Sequence, residues 1–87
     1  MVTANLPNEF RGKYEGDVSI SNDMFKLFGM IVGNVFVTGR GYFICNGMVT
    51  GNVYVDSESS ADIYGMVNGQ VSGDGEIKIF GMVNGNG

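Results

Sequence analysis

At 87 residues the chain is one domain, and with five basic against nine acidic residues and a net charge of −4 it is poorly suited to holding nucleic acid or anionic lipid by charge. Histidine is absent, which removes the commonest general base, the Cys-His and Ser-His nucleophile arrangements and most transition-metal sites. Fifteen glycines, one proline, no tryptophan and 44% hydrophobic residues fit a turn-rich all-β chain, and the lone Cys45 excludes an internal disulfide framework.

The first stretch, MVTANLPNEF, lacks a basic leader followed by a long apolar run, and no segment reaches membrane-spanning length, so a cytoplasmic location with no direct membrane insertion is expected. Residues 1–9 lie outside the pattern that follows. They read either as a frayed tail or as a cap, in which Val2 or Leu6 lies across Phe10 and Tyr14 and closes the exposed edge of the first coil.

From residue 10 onward the chain restates itself. GKYEGDVSI begins at Gly12, GMIVGNVFV at Gly29, GMVTGNVYV at Gly47, GMVNGQVSG at Gly65 and GMVNGNG at Gly81, giving steps of 17, 18, 18 and 16 residues. Within each copy apolar and polar positions alternate, the period-2 signature of strands with one buried face. Aligned copies give inward columns Tyr14/Ile31/Val49/Val67/Val83, Val18/Val35/Val53/Val71, Phe25/Phe43/Ala61/Ile77 and Leu27/Cys45/Ile63/Ile79. Glycines 16, 33, 51, 69 and 85 form a further column and mark bends, while SND, TGRGY, DSESS and DGE vary in length and mark a loop edge. A fixed period of this size is what a solenoid needs, because one coil cannot bury its inner face but a stack can. The predicted fold is all-β: a single-stranded parallel β-helix, a solenoid of four to five coils of about 18 residues over 10–87.

The outward positions carry the candidate site. In the first coil they hold Arg11 and Lys13, charges that discourage stray edge pairing. Later coils place Phe28, Tyr64 and Phe80 in one column, interrupted by Asn46, and Met30, Met48, Met66 and Met82 in the next, with Val32 beside them. The expectation is an exposed apolar stripe up one side of the rod, of a kind that marks lateral or dimer contact, unless the tail covers it. Asn34, Asn52, Gln70 and Asn86 form an outward amide column whose expected role is a structural hydrogen-bond ladder. Asp56, Glu58, Asp74 and Glu76 gather on the loop edge, where a solvated acidic surface is expected ahead of a divalent-cation site. Cys45 falls in an inward column and reads as a small buried apolar residue rather than a nucleophile.

GMIVGNVFV, GMVTGNVYV and GMVNGQVSG resemble the repeated Gly-x-Val-x-Gly-x-Val core of the bactofilins, bacterial polymer-forming cytoskeletal proteins, over roughly residues 10–87. The resemblance implies a right-handed, three-sided parallel β-helix that assembles end to end into nucleotide-independent apolar filaments and acts as a scaffold. This chain departs from that pattern in having few coils, in its regular Gly-Met pairs and in the aromatic-Met stripe. Hexapeptide-repeat acyltransferases share only the coil length: their hexad recurs three times per coil and their catalytic histidine has no counterpart here.

Enzymatic activity and a cofactor are therefore not expected. The leading expectation is a structural protein that associates with itself, through the stripe and through a last coil in which Val83 is left uncovered. The alternative is a small monomeric or dimeric β-solenoid that binds a peptide, a glycan or a surface, with the amide column as its flat face.

Overall fold

Every strand bends away after two to four residues, and strands one repeat apart in the chain are hydrogen-bonded to each other. The structure, a computed structural model, describes Val2 and residues 7–85 and contains three parallel sheets and no helix among them. The first sheet stacks β1 (Glu9–Phe10), β4 (Met24–Leu27), β7 (Tyr42–Cys45), β10 (Ser60–Ile63) and β13 (Glu76–Ile79). The second stacks β2 (Lys13–Glu15), β5 (Met30–Val32), β8 (Met48–Val49), β11 (Met66–Val67) and β14 (Met82–Val83). The third stacks β3 (Val18–Ser21), β6 (Val35–Thr38), β9 (Val53–Val55) and β12 (Val71–Ser72). The chain visits the three sheets in turn and then starts again, which makes it a single-stranded parallel β-helix of about four turns.

The registers reproduce the sequence columns. Phe25 pairs with Phe43, and Ala61 with both Phe43 and Ile77. Ile31 pairs with Tyr14 and Val49, and Val53 with Val35 and Val71. Side chains at these positions point into one continuous core in which Phe25, Leu27, Ile31, Phe43, Val49 and Ile63 are fully buried. The Phe25 and Phe43 rings stack at 6.1 Å between centroids, filling the two coils nearer the N-terminus. Ala61 continues their column with far less volume, and there Ser59 turns inward and is buried, its hydroxyl bonded to Asp56 Oδ1 at 2.6 Å.

The glycine columns have a more specific cause than room for a bend. A Cβ on Gly29, Gly47, Gly65 or Gly81 would collide with the backbone carbonyl oxygen of the glycine one coil earlier. The corner between the first two sheets is thus a column in which only backbone fits.

At the N-terminal end Val2 is buried and forms an antiparallel bridge to Ile20 on β3, so it lies along the open edge of the third sheet. Phe10 and Tyr14 are partly buried against the same core. Leu6, the other residue expected to cover them, lies outside the described residues. At the opposite end Ile79 is 44% exposed, although Leu27, Cys45 and Ile63 in the same column are fully buried. The residues measure 33 × 26 × 18 Å along their principal axes.

Candidate functional site

The outward stripe is built by two adjoining columns. The first follows the end of each first-sheet strand: Arg11, Phe28, Asn46, Tyr64 and Phe80, one residue beyond positions that pair in register. Its members touch along the rod axis. The Arg11 guanidinium sits 4.4 Å from the centroid of the Phe28 ring, and the Tyr64 and Phe80 rings stack at 4.9 Å with only 11° between their planes. Parallel register, which superposes like positions at strand spacing, is what brings these rings face to face.

The second column is Lys13, Met30, Met48, Met66 and Met82, all in register on the second sheet. Here the structure grades the expected site residues. Met30, Met48 and Met66 are half-buried: Met48 and Met66 have a thioether chain above and below, and Met30 lies between Lys13 and Met48. Phe28, Tyr64, Phe80 and Met82 are exposed, and Phe80 at 62% is the most exposed large apolar residue among those described. Val83 does not belong to this face: it points inward and is half-buried against the core. Val32, beside the methionines, is half-buried too. The apolar surface is therefore concentrated at Tyr64, Phe80 and Met82, next to the edge where Ile79 emerges.

The amide column is a ladder of a particular kind. Asn34 Oδ1 accepts the backbone N–H of Asn52, and Asn52 Oδ1 accepts the backbone N–H of Gln70, each at 2.9 Å. Asp17 heads the series, its Oδ1 taking the Asn34 backbone N–H at 3.0 Å. Side chains therefore supply acceptors that the bent backbone does not, and the ladder bonds run from backbone N–H to side-chain oxygen. Asn86 lies outside the described residues.

On the loop edge Glu58, Asp74 and Glu76 are exposed, whereas Asp56 is likewise committed to structure. Asp56 accepts from the Gly39 N–H, the Glu58 N–H and the Ser59 hydroxyl, and the Ser59 bond first, followed by those backbone donors, holds its carboxyl below the usual range. The Ser59 oxygen in turn accepts the Gly41 N–H at 3.2 Å. Asp23 plays a similar part, with Met24 N–H and Asn8 Nδ2 donating to Oδ1 and lowering its pKa. Among the described residues no group of three or more acidic or thiol side chains is placed to hold a metal ion.

Cys45 is fully buried, and burial pushes its thiol up to about 11. Its Sγ–H points to the Gly47 carbonyl at 3.4 Å. The Tyr42 hydroxyl donates to the Asp62 carboxylate on the neighbouring coil, and that bond, with some burial, raises it to about 12.

One exposed feature was not singled out from the sequence. Phe36 and Tyr54 pair in register on the outside of the third sheet, 38% and 45% exposed. Alternation assigns both outward, yet Ser19 and Ser72 complete their column, and two aromatics between two serines give no columnar signal.

Comparison of the chain with protein-family models, with curated proteins and with solved structures finds no match to any of them.

Proposed function

We propose that the protein is a structural protein that associates with itself, using its outward aromatic-Met stripe for lateral contact and its end coils for axial contact. The observation that carries this reading is the Tyr64–Phe80 stack, two aromatic rings parallel at 4.9 Å with half or more of each side chain exposed. Aromatic rings preassembled in one place supply large apolar area with little conformational freedom left to lose, and such surface favours protein contact. The resemblance of the Gly-x-Val-x-Gly-x-Val repeats to polymer-forming bactofilins supports the same reading, and with it a scaffold role in the cytoplasm.

Sedimentation velocity over a wide concentration range, with negative-stain microscopy of the same samples, tests it. A growing ladder of species or filaments is expected. A strict monomer at all concentrations would sink the proposal.

A second reading rests on Phe36 and Tyr54, which lie side by side on a flat outer face away from the stripe. Such a pair suits an extended peptide or a sugar ring, and a monomer whose melting temperature rises on adding that ligand would favour a binding module.

A further inference from the structure

The outward columns of the first sheet decide how two copies meet side by side. We propose that two copies of this chain pair face to face through their first sheets, with the rods antiparallel about a two-fold axis that runs along the middle strand, β7. This deepens the lateral half of the self-association reading and rests on it. The contact uses outward side chains of the first sheet and neither edge of the stack.

The first observation is charge. Glu9, Lys26, Ile44, Asp62 and Lys78 form one outward column by direct register, at half-buried or exposed positions. Along the rod the signs run minus, plus, neutral, minus, plus. A two-fold axis lying in the plane of contact and across the rod lays each column on itself reversed. Lys26 then faces Asp62 of the second copy, Glu9 faces Lys78, and Ile44 meets Ile44 at the axis. Every charge meets its opposite, and the one apolar member meets its own kind. A two-fold axis along the rod instead keeps the coils level and sets each of these charges against its like, which opposes association.

Contacts within the chain leave this column available. Its ion pairs run along the strands, Glu9 with Arg11 and Lys78 with Glu76 at 3.7 Å each, and among the described residues neither Lys26 nor Asp62 takes part in one. Asp62 accepts from the Tyr42 hydroxyl, a bond that leaves its charge in place.

The second observation is the column at the border of the same face: Arg11, Phe28, Asn46, Tyr64 and Phe80. The same reversal sets Phe28 against Tyr64 of the second copy. It sets Arg11, which already covers Phe28 at 4.4 Å, against Phe80. Asn46 is exposed and interrupts the rings, and it comes to lie at the axis beside its own counterpart, where each amide can donate to the other and accept from it. Both columns thus reverse about the same strand, the charged one at Ile44 and the aromatic one at Asn46. An isologous contact of this kind closes at two copies.

The test uses the full chain. Ile44→Cys places a thiol on the outside of β7 at the axis, while the native Cys45 is buried and does not compete. Packed sheets lie about 10 Å apart, a gap that a short bismaleimide bridges, so this variant alone should be cross-linked to a dimer. Orientation is read from charge. Lys26→Asp sets like charges opposite each other at two symmetric places and should weaken association in sedimentation by about tenfold or more, and adding Asp62→Lys to it should restore association. With level coils neither change would matter, because like charges face each other before and after. Thermal unfolding reports whether each variant is folded.

No cross-link from Ile44→Cys while the unsubstituted chain sediments as oligomers overturns the pairing and leaves self-association intact. A cross-link together with an association midpoint that Lys26→Asp leaves unchanged, or a weakening that Asp62→Lys does not reverse in folded protein, overturns the antiparallel arrangement. A monomeric unsubstituted chain overturns both this pairing and the self-association on which it rests.

Discussion

The side-chain oxygen of Asn34 accepts the backbone N–H of Asn52, one full coil later, at 2.9 Å. The same bond recurs between Asn52 and Gln70, so at the corner between the second and third sheets successive coils are fastened together by a side chain standing in for a carbonyl. Asn52→Ala leaves the Gln70 N–H to water and should lower stability by about 1 kcal/mol. Asn52→Asp keeps an acceptor, as Asp17 does at the head of the ladder, and should cost less. Urea unfolding of the two variants checks the order; an alanine variant as stable as the aspartate variant would contradict the ladder.

Gly47 tests the corner column. A methyl group there meets the Gly29 carbonyl oxygen, which belongs to backbone fixed by the strands on either side. Gly47→Ala should therefore cost about 3 kcal/mol, at the upper end of what overpacking costs, and the loss should appear in thermal and chemical unfolding alike. Alanine at Gly12, where the nearest neighbour is the flexible edge of the Phe10 ring, should cost much less.

Alkaline pH should weaken the fold through two groups. Burial raises the Cys45 thiol to about 11, and the bond to Asp62 raises the Tyr42 hydroxyl to about 12. Each is above its value in the unfolded chain, so the unfolded state releases protons first. The stability these groups contribute is whole below their unfolded pKa values, about 8.5 and about 10, and is lost as pH rises toward the folded values. The Cys45→Ala, Tyr42→Phe double variant should show a flatter dependence of stability between about pH 8.5 and 12. In the native protein at pH 8 a thiol reagent should modify Cys45 only as fast as the fold opens.

Arg40 has φ of 67° in the loop between β6 and β7, a backbone conformation that a side chain disfavours. Arg40→Gly should raise stability by about 0.5–1 kcal/mol, with no effect on assembly, because the residue is exposed on the loop edge away from the stripe. An unchanged or lower unfolding midpoint would count against strain at this position.

The stripe itself is tested by Tyr64→Ser with Phe80→Ser. Removing two exposed rings that contact each other should leave the unfolding midpoint of the coils nearly unchanged and shift the association midpoint in sedimentation by about tenfold or more. Met48→Lys with Met66→Lys should act in the same direction less cleanly, since both side chains are half-buried within their column. Oligomers that form equally well in both double variants would exclude the stripe as an interface.

The period made the coils, the three faces and the inward columns legible, because a residue type that recurs at one spacing reports the same environment each time. What recurs only once was not legible. Val2 was readable as a cap over Phe10 and Tyr14, but its bridge to Ile20 was not, and the burial of Ser59, two residues before the small Ala61, occurs in one coil alone. The amide column was visible, but its bonding was not: spacing identifies neighbours and says nothing of whether Asn34 Oδ1 takes a side-chain or a backbone N–H. The stripe was readable as a column and not as a gradient. Met48 is half-buried because it has a register partner on each side, and Met82 is exposed because it has one on one side only.

Coil-to-coil bonds such as Asn46 N–H to the Leu27 carbonyl and Tyr64 N–H to the Cys45 carbonyl run along the rod. A pull applied between the two end coils therefore loads successive layers in series, like links of a chain, and the weakest layer yields first. A push from the side instead meets several layers together. Under tension such a rod unwinds coil by coil and lengthens at low force, and neighbours bound along its flank at Tyr64 and Phe80 would divide the load and stiffen it.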